Sequence, residues 1–184
     1  MLDALPARGV RLTFDDSNAS DLEHALPALT DRRRSAQFFV LAGELGTAGR
    51  LTAADVKRLH EAGMSIGSHG LHHRDWRAIS DDELKRELTV SRGTLASILG
   101  REVAEASCPF GSYDRRVLRV LRSSGYQRVY TSDGASSSAD RWLSSRTTVT
   151  RDRPLGAWLD LVAAGPSQKL DPLVMLKGYV KRVR

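Results

Sequence analysis

Apolar, β-rich runs alternate with amphipathic stretches along this chain, and the alternation sets the expected architecture. Gly9-Val10-Arg11-Leu12-Thr13-Phe14 reads as a first strand that ends at the acidic pair Asp15-Asp16. Ser20-Asp21-Leu22-Glu23 has the spacing of a capping box, in which a hydroxyl and a carboxylate three residues on each bond the other's backbone N–H. Its helix is predicted to run to about Arg33, with Leu22, Ala25, Leu26 and Leu29 on the apolar side. Ala36 to Leu41 is the second strand, and Thr52 to Ala62 is a helix closed by Gly63. Met64 to Ser68 is a short third strand that leads straight into Gly67-Ser68-His69-Gly70-Leu71-His72-His73.

The second half repeats the rhythm. Ser80-Asp81-Asp82-Glu83 is another capping box, and its helix runs to about Leu99 before Gly100. Glu102 to Cys108 is a fourth strand, broken by Pro109 and Gly111. Asp114 to Ser124 is a helix closed by Gly125, and Gln127 to Thr131 is a fifth strand. Residues 134–140 are small and polar, as in a loop. Trp142-Leu143 and Thr147-Thr148-Val149 are expected to be the two halves of an irregular sixth strand. Beyond them, residues 154–184 have a helical pattern interrupted by Pro166 and Pro172.

Strands alternating with helices at this spacing argue for parallel pairing with the helices packed outside. Either an open doubly wound sheet or a barrel smaller than the usual ~250-residue form would satisfy the pattern. No Gly-x-Gly-x-x-Gly follows the first strand, which removes the commonest nucleotide-binding reason for an open sheet. A length of 184 residues suits one domain over residues 1–184, with a core at 9–150 and a C-terminal helical segment at 151–184.

Composition narrows the function classes. No apolar run approaches the ~20 residues that a membrane span needs, so no transmembrane segment is expected. Met1 to Pro6 lacks the basic and apolar regions of a signal peptide, which as written suggests the cytoplasm, although a trimmed extracellular protein would look the same. Cys108 is the single cysteine, so no internal disulfide can form; its expected place is a small buried hydrophobe. The net charge of +6 is spread over several helices, with Lys177, Lys181, Arg182 and Arg184 at the C-terminus. Solvated helix faces account for most of it, with contact to an anionic glycan or a membrane surface as the sharper alternative. Basic residues are not interleaved with aromatics, so nucleic acid is not an expected partner.

The chemistry concentrates at equivalent places. Asp15-Asp16 ends the first strand, the histidines follow the third, and Pro109-Phe110-Gly111 follows the fourth. In a parallel barrel these three points meet at the carboxyl-end rim, where active sites form. Imidazole and carboxylate are the ligand types for Zn²⁺ or a similar dication, and a second carboxylate can take a proton from water. Side chains alternate along a strand, so Asp15 and Asp16 diverge unless the chain bends between them. His69 and His73 lie four residues apart, while His72 is expected to point elsewhere. His24 and His60 fall on helices as surface or boundary residues. Trp76, Trp142 and Trp158 are core residues by default, Trp142 being the best placed of them to stack on a sugar.

Thr13-Phe14-Asp15-Asp16, His69-Gly70-Leu71-His72-His73 and Pro109-Phe110-Gly111 resemble the first three motifs of the polysaccharide deacetylase family, also called the NodB-homology domain or carbohydrate esterase family 4. The resemblance covers roughly Gly9 to Val149. It implies an irregular, incomplete (β/α) barrel of six to seven mostly parallel strands with outer helices. It further implies one divalent metal ion, Zn²⁺ first among the candidates, held by Asp16, His69 and His73. Asp15 is then the catalytic base and the Phe110 backbone N–H helps hold the oxyanion, with Pro109 and Trp142 as substrate-binding candidates. The implied reaction removes N-acetyl groups from an amino sugar or N-acetylated glycan, so the partner is a carbohydrate substrate.

Five departures stand out. Ser17 occupies a usual Gly position, Gly70 replaces a Ser or Thr, and Ser107 sits where many members carry an Arg that orients the catalytic Asp. No histidine follows His73, so the family's usual general acid has no candidate, and the fourth motif is blurred into Asp140-Arg141-Trp142. The alternatives are hydrolysis of a small cyclic amide or imide on the same scaffold, and a non-catalytic glycan-binding domain that retains the metal. A two-histidine, one-carboxylate iron oxygenase is disfavoured by the spacing and the adjacent second Asp.

Overall fold

A computed structural model of the protein describes residues 10–134, 141–149, 154 and 156. Six strands form one sheet in sequence order: β1 (Leu12–Phe14), β2 (Ala36–Val40), β3 (Ser65–Ser68), β4 (Glu105–Ser107), β5 (Arg128–Thr131) and β6 (Leu143–Ser145). Every neighbouring pair is parallel. A doubly wound sheet reverses its strand order at a switch point; this one never does, so it curls one way into a half-barrel. The helices between the strands are α1 (Leu26–Thr30), α2 (Ala53–Glu61), α3 (Asp81–Leu99) and α4 (Arg115–Ser123). Among the described residues no helix is long and apolar enough to cross a membrane.

Strand parity separates two environments. Phe14, Phe38, Val40, Ala106, Cys108 and Val129 belong to two hydrophobic clusters completed by the helices, with the Phe14 and Phe38 rings stacked at 4.8 Å. The residues between them face the inside of the curl, and most are polar. Tyr130 donates to Glu105 (3.2 Å), and Arg11 donates to Tyr130. Gln37, in the amide orientation its neighbours dictate, accepts from the Gly67 N–H at 3.0 Å and donates to Glu105 at 3.2 Å. Buried polar groups are costly unless their hydrogen bonds are made, and here β2, β3, β4 and β5, with Arg11 just before β1, supply them.

Local signals held where side chains could reach the backbone. Ser80 and Glu83 form the expected capping box on α3, and Gly100 caps its far end at φ 66°. Thr52 and Asp55 form another box on α2, with aspartate doing the work of the usual glutamate. The first helix differs from expectation. Ser20 has helical φ/ψ and its hydroxyl makes no cap; Asp21–Ala25 is a π-turn, and α1 stops at Thr30, short of Arg33. Pro27 explains the irregularity, because it lacks the N–H that would continue the i→i−4 ladder.

Two strands also differ. β4 begins at Glu105 instead of Glu102, and β6 is one uninterrupted strand at Leu143–Ser145, with Thr147 to Val149 outside any strand. Residues 135–140, expected to form a loop, and the basic C-terminal segment expected to be helical, with Trp158, Lys177, Lys181, Arg182 and Arg184, lie outside the described residues.

Candidate metal centre and active site

Asp15 continues the inward parity of Thr13 beyond β1, and the chain then bends sharply. Asp16 and Ser17 both have positive φ, at 77° and 58°. This is the bend that lets adjacent carboxylates serve one site. Non-glycine residues rarely adopt such values, and they persist where surrounding contacts over-determine them. Here the Ser17 hydroxyl accepts the Leu41 N–H (2.7 Å), the Ser17 carbonyl accepts the Leu51 N–H (2.8 Å), and the Asp16 carbonyl accepts from Arg50 (2.6 Å). Serine at the family's usual glycine position thus ties the Asp turn to the end of β2. Of the five non-glycine positive-φ residues among those described, four lie in this region: Asp16, Ser17, His73 and Phe110.

One oxygen of Asp16 lies 3.3 Å from Nε2 of His69 and 3.3 Å from Nε2 of His73. The three candidate ligand atoms all fall within 4.8 Å of one another. His69 is buried, and its Nδ1 is 2.8 Å from the Ser107 carbonyl. A carbonyl can only accept, so Nδ1 carries a proton and Nε2 offers its lone pair inward. Burial, followed by the neighbouring His69, holds the His73 pKa below the ordinary value despite the opposing pull of Asp16 and Asp15. The Asp16 carboxyl is also lowered, chiefly by the neighbouring His69, with burial opposing. A carboxylate and two imidazoles aimed at one point, with no fixed donor between them, fit a divalent cation of the Zn²⁺ type.

Asp15 stands beside this group, its Oδ2 3.9 Å from His69 Nε2. Arg146, the residue after β6, grips it with both arms: Nη1 to Oδ1 at 2.8 Å and Nη2 to Oδ2 at 2.8 Å. Ser107 donates to the same Oδ2 at 3.1 Å and accepts from Arg146 at 2.6 Å, while Thr13 accepts from Arg146 at 3.0 Å. Burial pushes the Asp15 carboxyl up, but the Arg146 hydrogen bonds and charge, His69 and Ser107 outweigh it, and the net pKa is lowered. Asp15 therefore stays ionised and fixed in direction. Asp21, one turn away in sequence, goes the other way: burial and the charges of Asp16 and Asp15 raise it to about 7, against a bond from the Asn18 backbone.

A sequence model of the polysaccharide deacetylases matches residues 3–129. The chain belongs to the polysaccharide deacetylase family. It is 26% identical over 126 residues to the chitooligosaccharide deacetylase of Rhizobium leguminosarum bv. trifolii, covering 68% of this chain and 57% of that protein. It spans about half the length of the curated relatives it matches. Its fold is similar to that of the Streptococcus pyogenes deacetylase PplD, solved with acetate, at a TM-score of 0.79 and 25% identity over 85% of this chain and 71% of the other. IcaB from Ammonifex degensii superposes with a TM-score of 0.73 at 25% identity, covering 86% and 73%.

Within this family frame, Arg146 is the residue that sequence reasoning missed. Ser107 replaces the family's common arginine, and the guanidinium arrives instead from the end of β6. It lies between the two segments, Trp142-Leu143 and Thr147-Thr148-Val149, that the sequence pattern marks as strand. A lone arginine at a strand's carboxyl end, in the same position as Asp15 after β1, was the available signal. Arg146→Met should leave the buried Asp15 without its counter-charge, so burial alone would act and its pKa should rise. A base works only when ionised, so the acid limb of the kcat/KM profile should move to higher pH. Charge-assisted hydrogen bonds are worth about 1.5–3 kcal/mol, so the fall near neutral pH should be roughly 10–100-fold. Arg146→Lys should restore the charge but not the two-armed grip. A pH profile unmoved in Arg146→Met would rule out this role.

The other sequence candidates separate clearly. Phe110 has φ 57° in the short 3₁₀ turn Pro109–Gly111, and its exposed ring lies 4.2 Å from the His73 ring. Pro109 is buried beneath it and offers little face to a ligand. Trp142 is not brought to this rim. It precedes β6, at the opposite end of the strand from Arg146, donates to the Tyr126 carbonyl (2.8 Å) and is covered by Arg122 at 4.1 Å. Its place is in packing between α4 and β5. His72 points away to Glu44 (2.8 Å), His24 is exposed, His60 lies against the Met64 carbonyl, and Cys108 and Trp76 are buried.

Proposed function

We propose that this domain is a metal-dependent deacetylase that removes N-acetyl groups from an amino sugar or N-acetylated glycan. The observation that carries the reading is the convergence of Asp16, His69 and His73 beside an Asp15 held ionised by Arg146. Asp16, His69 and His73 would hold the cation. When bound, a dication supplies Lewis-acid chemistry, lowering the pKa of a coordinated water and polarising an acyl carbonyl. Asp15 then accepts the proton of the attacking water. The Phe110 backbone N–H donates to the oxygen on which negative charge develops, often one of the largest catalytic contributions. The exposed Phe110 ring supplies an apolar face on which a sugar ring can rest.

Cleavage of the C–N bond yields acetate and a free amine, and the amine leaves only if it is protonated. With no histidine after His73, Asp15 returns to nitrogen the proton it took from water. A base of lowered pKa is an adequate acid for that step, and no histidine after His73 is there to assist it. Aryl acetates, whose leaving group departs without a proton, should therefore react faster than N-acetyl chito-oligosaccharides. General acid assistance typically contributes roughly 10²–10⁴-fold, which sets the size of the gap. The test measures acetate release from both substrates on one preparation, before and after chelation and after adding back Zn²⁺ or Co²⁺. Acetate release that is indifferent to chelator would refute the metal-dependent reading. Efficient amide cleavage with a bell-shaped pH profile whose acidic partner survives Asp15 substitution would show a separate acid.

A further inference from the structure

The loop between the two histidines is held from one side by strand-like pairing and from the other by a single buried carboxylate. On the β2 side, Val40 accepts the His69 N–H (2.8 Å), Ala42 N–H donates to the Gly70 carbonyl (2.9 Å), and Gly43 N–H donates to the Leu71 carbonyl (3.1 Å). On the other side, three consecutive backbone N–H groups turn toward α3. The Gly70 N–H goes to the Ser68 hydroxyl (3.1 Å), which is itself bonded to Ser91 of α3. The Leu71 N–H goes to Oε2 of Glu87 at 2.7 Å, and the His72 N–H reaches the same oxygen at 3.4 Å. Glu87 and Ser91 are one helical turn apart, so a single face of α3 serves the whole loop.

Glu87 is 4% exposed, and no Lys, Arg or His pairs with it among the described residues. A buried carboxylate normally carries a cation partner; this one is held by backbone dipoles, as an anion is held in a nest of successive N–H groups. Its space also explains a departure from the family pattern. Gly70 has φ +85°, and a Cβ there would come 2.7 Å from Glu87 Oε2 and 3.3 Å from the Trp76 ring. The volume that a Ser or Thr side chain would fill is taken by Glu87, so glycine is the residue that fits.

We propose that Glu87 is a positioning residue for the metal centre, fixing the loop that sets the distance between His69 and His73. The proposal rests on the reading that Asp16, His69 and His73 bind a dication. Its mechanism is geometric: the two imidazoles meet one Asp16 oxygen only while the loop keeps its curvature, and Glu87 is the side chain that holds the loop's middle. Nothing in this role requires Glu87 to touch substrate or metal.

The test is Co²⁺ binding to the full chain, followed by titration and by the visible ligand-field spectrum, with far-UV circular dichroism and the metal-free melting temperature as controls for folding. Glu87→Gln keeps the shape and one acceptor but loses the charge; its Co²⁺ affinity should fall roughly 10-fold, with an altered spectrum. Glu87→Met removes the acceptor and should lose roughly 100-fold, the range seen when groups supporting metal ligands are removed. Should Glu87→Met fail to fold, Glu87→Gln decides. Wild-type affinity and spectrum in a folded Glu87→Met, or in Glu87→Gln, would overturn the proposal while leaving the metal site intact. Failure of the unmodified protein to bind Co²⁺ would instead remove the metal reading and this inference together.

Discussion

Asp15→Asn should retain its metal and lose nearly all turnover. An amide has no basic oxygen to accept the water's proton, so a loss of about 10²–10⁴-fold in kcat is expected, the usual contribution of a positioned base. Metal content should stay level because Asp15 lies beside the three proposed ligands and is not one of them. The substitution also leaves Arg146 beside a neutral amide, so some stability should be lost, on the order of 1–3 kcal/mol for a charge-assisted pair reduced to neutral bonds. Circular dichroism separates that loss from the catalytic one, since a folded, metal-loaded and inactive protein is the expected product. Hydrolysis at the unmodified rate would remove Asp15 from the base role. Asp16→Asn makes the complementary measurement, because there metal affinity should weaken.

His69→Ala should empty the centre. His69 is the most buried of the three proposed ligands, and its ring is oriented by the Ser107 carbonyl. Removing it deletes one of the three proposed ligands and would leave Asp16 and His73 with a weaker, two-point grip. Metal measured by mass spectrometry after dialysis should fall to background, and acetate release should fall to the level of the chelated protein. His72→Ala is the internal control: three residues along the same loop, with its side chain turned out to Glu44, it should bind metal normally. Full metal occupancy in His69→Ala would break the assignment.

Much of this site was legible because its chemistry is local in sequence. Asp15-Asp16 and His69 to His73 each fall at the end of an apolar strand, and parallel strands with outside helices bring such ends to one rim. The candidate metal ligands Asp16, His69 and His73, which the fold brings within 4.8 Å of one another, could be named from residue type, spacing and strand position. The orientation of the base could not. Arg146 reaches Asp15 across 131 positions of sequence, and nothing near either residue encodes that meeting. The same holds for Glu87, whose place on α3 looks like any buried-face position until the helix is docked over the histidine loop. Trp142 shows the reverse error, since a loop-like neighbourhood suggested a sugar platform and packing against Tyr126 and Arg122 decided otherwise.

The sequence by itself determined the order of strands and helices, the polar and apolar parity of each strand, and the identity of the residues that gather at the rim. These follow from hydrophobic period, capping chemistry and ligand type, all of which act over a few residues. The tertiary structure decided which way the sheet curls, where the sixth strand lies, and which guanidinium and which buried carboxylate support the site. Those outcomes depend on contacts between segments far apart in the chain. Their geometry is set only when the helices close over the sheet and buried polar groups are brought to their partners.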